Sequence, residues 1–241
     1  RMKIYIKFDK LGLKKAKHII ADSKNTKKDI INYLKVNEDK ITVIYPGVDH
    51  SLYYHRNNRL FDFKYILFVG SEQLRKNFVS LLKAFYKVKK DNTFNNLKLV
   101  KVGLPGLDRD RKRTLKDINE LSLNKDVIFT NFIEEEKLPI YYSNAECLIL
   151  PSLYEGFGLP VLEAMACGCP VITSNVSSLP EIVGDAGIMF QPYNIQKLVS
   201  SIKKVLNDKN MRKEMREKGL KRAKMFSWNK TAKETTKVYE R

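Results

Sequence analysis

CLILPSLYEGFGLPVLEAMA, residues 147–166, reads as three pieces. Cys147 to Leu150 is an unbroken apolar run, the mark of a strand buried on both faces. Pro151 to Gly158 is a glycine loop in which Gly156 and Gly158 permit a tight turn and close approach of backbone to a ligand. Leu159 to Cys167 reads as a helix, with Pro160 in its first turn, where the missing N–H costs nothing. Free N–H groups of Gly158, Leu159 and their neighbours, with the positive end of the helix dipole behind them, form an anion site suited to phosphate.

Outward from this unit, short apolar runs alternate with amphipathic stretches. Strands are expected at Tyr65–Val69, Leu97–Val102, Val127–Thr130, Val171–Ser174 and Gly187–Phe190. Helices are expected at 78–88, 111–121, 138–145 and 179–183. The fold class is therefore α/β, a doubly wound, Rossmann-like parallel sheet, and ligands should bind beyond the carboxyl ends of its strands. A different pattern precedes residue 47: strands at His18–Ala21 and Ile41–Ile44 flank a helix at 26–34. That is too little for a domain, so residues 1–46 read as the tail of one. The last third is helical, at 195–206, 211–224 and 228–239.

Two carboxylates accompany the glycine loop. Glu163 lies among Leu162, Ala164, Met165 and Ala166, where a charge is costly without a partner. A forked carboxylate suits the 2′ and 3′ hydroxyls of a ribose; the plainer reading is a surface glutamate. Glu155, inside the loop, would repel a phosphate unless it turns toward sugar hydroxyls, and it could instead cap a helix. Arg75 and Lys76 follow the first strand of the sheet, after Gly70, and can meet a diphosphate as a planar fork and a point charge. Solvated loop cations are the alternative.

Composition narrows the classes. The 241 residues carry 45 Lys and Arg against 27 Asp and Glu, a net charge of +18, with Lys far in excess of Arg. This is read first as solvated helix faces, second as attraction to an anionic membrane or substrate, and last as nucleic-acid binding. Three cysteines, Cys147, Cys167 and Cys169, are too few for a disulfide framework and lack the partners of a zinc site. No run is long enough to cross a membrane. A cytoplasmic protein is expected, peripheral on the inner membrane face if it meets a membrane at all.

From Tyr65 to Arg241 the chain resembles the C-terminal, donor-binding half of the retaining glycosyltransferases of family 4, which have the GT-B fold. Glu155 and Glu163 fit that family's Glu-x7-Glu motif, Arg75-Lys76-Asn77 its basic donor loop, and Met165-Ala166-Cys167-Gly168 with Pro170-Val171-Ile172 its next strand. Val127 to Thr130 and Ser177 to Gly184 also fit, as do Phe226-Ser227-Trp228 at the last helix and Pro46-Gly47-Val48-Asp49 at the linker. Asn131 stands where the family carries glycine, with Phe132 and Ile133 the expected contacts of the nucleobase.

The resemblance implies an N-terminal acceptor-side remnant (1–46), a donor domain (47–226) and a C-terminal helix packing back on the remnant (227–241). It implies a retaining hexosyltransferase in which Arg75, Lys76 and Glu155 act on the transferring group. Gly70, Asn131, Phe132, Ile133, Gly156, Phe157, Gly158, Leu159 and Glu163 would hold a UDP- or GDP-sugar, with no cofactor or metal. The acceptor would be a glycan or a lipid-linked sugar. Residues 1–46 would leave an open edge, which a second copy of the chain could cover. The rival is a non-catalytic sugar-nucleotide-binding or regulatory module that needs a partner chain.

Overall fold

The computed structural model describes residues 12, 13 and 15–240. The first eleven residues, Lys14 and Arg241 lie outside the described residues, and with them the start of the 1–46 segment. A small parallel pair comes first, β1 (Ile19–Ala21) and β2 (Ile41–Val43), joined by α1 (Lys24–Leu34). It has its own apolar cluster of Ile19, Ala21, Val36 and Ile41, against which Ile30, Ile31 and Leu34 pack.

The main sheet has six parallel strands: β3 (Tyr65–Val69), β4 (Lys98–Val102), β5 (Val127–Asn131), β6 (Cys147–Leu150), β7 (Val171–Ser174) and β8 (Ile188–Phe190). Their spatial order is β5-β4-β3-β6-β7-β8. The chain starts in the middle at β3, winds out to β5, then returns beside β3 and winds out the other way. The switch point falls between β3 and β6, where a ligand crevice opens above an α/β sheet. Every residue of β3, β6 and β7 is buried, because helices cover both faces.

Those helices are α2 (Phe78–Lys89), α3 (Asp108–Glu120), α4 (Leu138–Asn144), α5 (Leu159–Ala166), α6 (Leu179–Val183), α7 (Ile195–Asn207) and α8 (Lys209–Ala223). α3 begins three residues earlier than its apolar spacing indicates. Asp108 and Asp110 occupy its first turn, where negative charge favours the helix dipole. β5 runs one residue beyond expectation, to Asn131. Among the described residues no helix is long and apolar enough to cross a membrane.

The last helix, α9 (Trp228–Tyr239), lies on the exit from the β1–α1–β2 unit. Thr231 Oγ1 donates to the Tyr45 carbonyl at 2.7 Å, and Val48 bridges Ser227. Gly47 permits this approach: a Cβ there would fall 2.2 Å from the Trp228 nitrogen, so any side chain would force two backbones apart. No residue of α9 is buried, and Trp228 is half exposed.

Candidate functional site

The loops after β3 and β6 meet over the switch point. Their backbones are joined where the Leu153 N–H donates to the Arg75 carbonyl at 2.7 Å. Asn77 locks the first loop, its amide donating to the carbonyls of Pro151 (3.0 Å) and Pro192 (3.1 Å). This rigid seam brings the basic residues of one loop to the carboxylate of the other. Lys76 Nζ lies 2.7 and 2.9 Å from the two oxygens of Glu155, and Arg75 reaches the same carboxylate at 3.3 Å. Ser152 Oγ donates a further bond of 2.6 Å.

Glu155 is only 6% exposed; its charge is met chiefly by Lys76 and, at longer range, by Arg75, while the Ser152 hydroxyl adds a neutral hydrogen bond. Arg75, half exposed, keeps part of its guanidinium in solvent. The two cations therefore do not stand free in the loop: Glu155 holds and orients both.

Gly158 caps the start of α5 with φ of 115°, a left-handed conformation that glycine adopts without strain. No backbone bond is made by the N–H groups of Gly158 and Leu159 among the described residues, and Pro160 has none to offer. That end of the helix remains a donor surface. Phe157 differs from its neighbours. Its ring is buried against Tyr45 and Phe226, at 6.0 Å from each centroid, so it anchors the loop and has only backbone to present to a ligand.

Glu163 is on α5, one turn in. Tyr142 of α4 donates to its Oε2 at 2.7 Å, and Oε1 has no partner among the described residues. Burial pushes this carboxyl up to about 7, against the pull of the Tyr142 hydrogen bond, and the charge of Glu135 adds to the rise. A partly buried carboxylate with one unoccupied oxygen can accept hydroxyl donors from a ligand. Asn131 takes a positive φ of 55°, the left-handed geometry that asparagine tolerates best after glycine. Its side chain and the 73%-exposed Phe132 are open to solvent, while Ile133 packs against the core. Gly70 follows β3, and its N–H donates to the Val102 carbonyl at the end of β4 at 3.0 Å.

A family model for glycosyl transferases group 1 matches residues 54–222. The chain belongs to that family. The model for glycosyltransferase family 4 matches residues 1–52. The chain is similar to the O-antigen chain mannosyltransferase B of Escherichia coli, 37% identical over 73% of this chain and 45% of the relative. Among solved structures it is similar to a sucrose-phosphate synthase of Thermosynechococcus elongatus, with 27% identity, a TM-score of 0.87, and coverage of 99% of this chain and 61% of the other. It also matches the C-terminal domain of a group 1 glycosyl transferase, LpcC, from Francisella tularensis, at 25% identity and a TM-score of 0.66, over 74% of this chain and 97% of that one. The chain spans about half the length of the curated relatives it matches. The sheet is thus the Rossmann-like half of a GT-B fold.

Three parts of this candidate site escaped the sequence reading. Lys101 is fully buried in β4, 3.0 Å from the equally buried Glu72, which also pairs with Arg111 at 2.8 Å. Burial pushes the Lys101 ammonium down, while Glu72 beside it pulls the other way. Arg111 lies over the Phe129 ring, 4.3 Å from its centroid, so this triad props the floor between β3 and β5. A lysine inside an apolar strand run, KLVKV, was the available signal. Ser152 and Tyr142 gave none, since they reach the carboxylates only through the fold. Among the described residues no group of three or more His, Cys, Asp or Glu is placed to hold a metal ion, and the three cysteines are free and buried.

Proposed function

We propose that this chain binds a nucleotide sugar and serves the donor side of a hexosyl transfer that proceeds with retention. One observation carries the reading: the β3 and β6 loops bring Arg75 and Lys76 to Glu155 at the switch point, in the loop that leads into the open start of α5, the helix that carries Glu163. The Glu163 carboxylate takes the ribose hydroxyls with its unoccupied oxygen. Arg75, Lys76 and the N–H groups of Gly158 and Leu159 take the diphosphate and stabilise the charge that grows on it as the sugar leaves. Glu155, its two oxygens already engaged by Lys76, Arg75 and Ser152, orients both cations beside the position proposed for the sugar. Asn131, Phe132 and Ile133, with Gly70, border the base. The phosphate charge is met by protein cations and backbone, so the reading calls for no metal. The acceptor is a glycan or a lipid-linked sugar, and the base is uracil or guanine.

Calorimetric titration of the chain with UDP, GDP and their sugars tests this directly, with the free nucleosides as controls. Arg75→Ala should weaken the diphosphates about tenfold or more and leave uridine or guanosine unchanged, because its charge acts on phosphate alone. Equal losses for nucleoside and diphosphate would assign Arg75 a general structural role and remove it from the site.

A further inference from the structure

α1 starts with Lys24 and has Lys27 and Lys28 close behind, with no acidic residue in its first turn. Positive charge at the positive end of the dipole opposes the helix. The counter-charge arrives from 157 residues away. The Glu181 carboxylate, on α6, accepts from the backbone N–H groups of Lys24 at 2.9 Å and Asn25 at 3.0 Å. It accepts a third bond, 2.9 Å, from the Tyr45 hydroxyl. The next N–H, of Thr26, is taken by Ser23 Oγ, so the first three N–H groups of the helix itself are satisfied.

Just before Glu181, the two residues that lead into the same short helix grip the Glu155 loop. Ser178 Oγ donates to the carbonyls of Glu155 (3.0 Å) and Phe157 (2.6 Å), and Ser177 Oγ accepts from the Glu155 N–H at 2.9 Å. α1 touches that loop from the opposite side: the Tyr154 hydroxyl donates to Asp29 at 2.7 Å and Thr26 Oγ1 to the Gly156 carbonyl at 3.4 Å. Arg222 of α8 fixes α6 from behind by donating to the Glu181 and Ile182 carbonyls.

We infer that Glu181 is a positioning residue that couples the β1–α1–β2 unit to the Glu155 loop through α6. Any shift of the small unit pulls on Glu181, and the serines one turn away pass it to the backbone that carries Glu155. Its effect on donor binding rests on the function proposed above.

The test is amide hydrogen exchange on the full chain and its Glu181→Gln variant. A glutamine side chain offers one acceptor where the carboxylate offers two oxygens, so exchange at Lys24 and Asn25 should rise about tenfold or more. The coupling predicts a rise at the Glu155 amide as well, although among the described residues Glu181 makes no hydrogen bond to that loop. Affinity for UDP or GDP should fall about five- to thirtyfold, within the usual range of coupling between sites. A spectroscopic titration reports the contact itself. Burial, then the Glu181 bond and charge, push the Tyr45 hydroxyl up to about 12 against the opposing charge of Arg222, and the variant should ionise at lower pH. Faster exchange at Lys24 and Asn25 with the Glu155 amide unmoved would overturn the inference and leave Glu181 a helix cap. Wild-type chain that binds neither nucleotide would remove the donor reading, while the exchange result still decides the coupling. Should Glu181→Gln not fold, Tyr45→Phe removes one of the three bonds and is read by the same two amides.

Discussion

Affinity for a nucleotide sugar is expected to weaken on the order of tenfold per pH unit over the first one to two units below about pH 7 and to level off above it. The cause is Glu163. Its carboxyl is raised to about 7 by burial, and the ionised form accepts the ribose hydroxyls far more strongly than the protonated one. A nucleotide sugar is the right probe, since its phosphates stay singly ionised across this range. Binding near pH 6.5 should release protons, measurable by calorimetry in buffers of different ionisation heat. Glu163→Ala should cost about 10- to 150-fold at pH 8, the usual loss for a charged hydrogen-bonding group.

The same shift makes a stability prediction of opposite sign. Glu163 is raised from 4.5 to about 7 on folding, so between those values the folded state binds more protons than the unfolded one. Stability therefore falls as pH rises through that window, and the full penalty is present above it. Glu163→Gln removes the titration and keeps an acceptor for Tyr142. The ligand-free variant should be more stable than wild type by roughly 2–3 kcal/mol at pH 8 and no more stable at pH 4. Denaturant midpoints at the two pH values measure it. A variant as pH-dependent as the wild type would place the unfavourable charge elsewhere.

Lys76→Ala is expected to destabilise the chain by about 3 kcal/mol, far more than loss of a surface cation. Glu155 is nearly buried, and Lys76, itself 12% exposed along its side chain, is its closest cation. Removing the ammonium leaves a carboxylate with Ser152 and the longer, more exposed Arg75 contact. Adding Glu155→Gln to Lys76→Ala should recover most of the loss, because the uncompensated charge goes with it. Chemical unfolding of the two single variants and the double variant closes the cycle. A loss below about 1 kcal/mol would class the pair with solvent-screened surface bridges. The same arithmetic makes Arg75 the cleaner probe of phosphate binding.

Local pattern was sufficient for most of the scaffold. β3, β6 and β7 fall on their expected residues because both faces of each strand are covered, and such strands announce themselves as unbroken apolar runs. Asp108 and Asp110 extend α3 because dipole compensation acts at a helix end without altering the apolar period. Lys101 was hidden inside an apolar run for the opposite reason: its charge is legible, but its partner Glu72 lies on another loop.

The candidate site divides along the same line. Which residues carry charge or lack a side chain, and that the loops after successive strands gather at one end of the sheet, follow from the order of residues along the chain. That Lys76 and Arg75 close on Glu155, that Tyr142 takes one oxygen of Glu163, and that Glu181 caps a helix 157 residues earlier do not. Periodicity is a property of neighbours three, four or two residues apart, so it can specify a helix face or a strand. Pairing of buried charges depends on distances between elements far apart in the chain, and only the packed tertiary structure sets those.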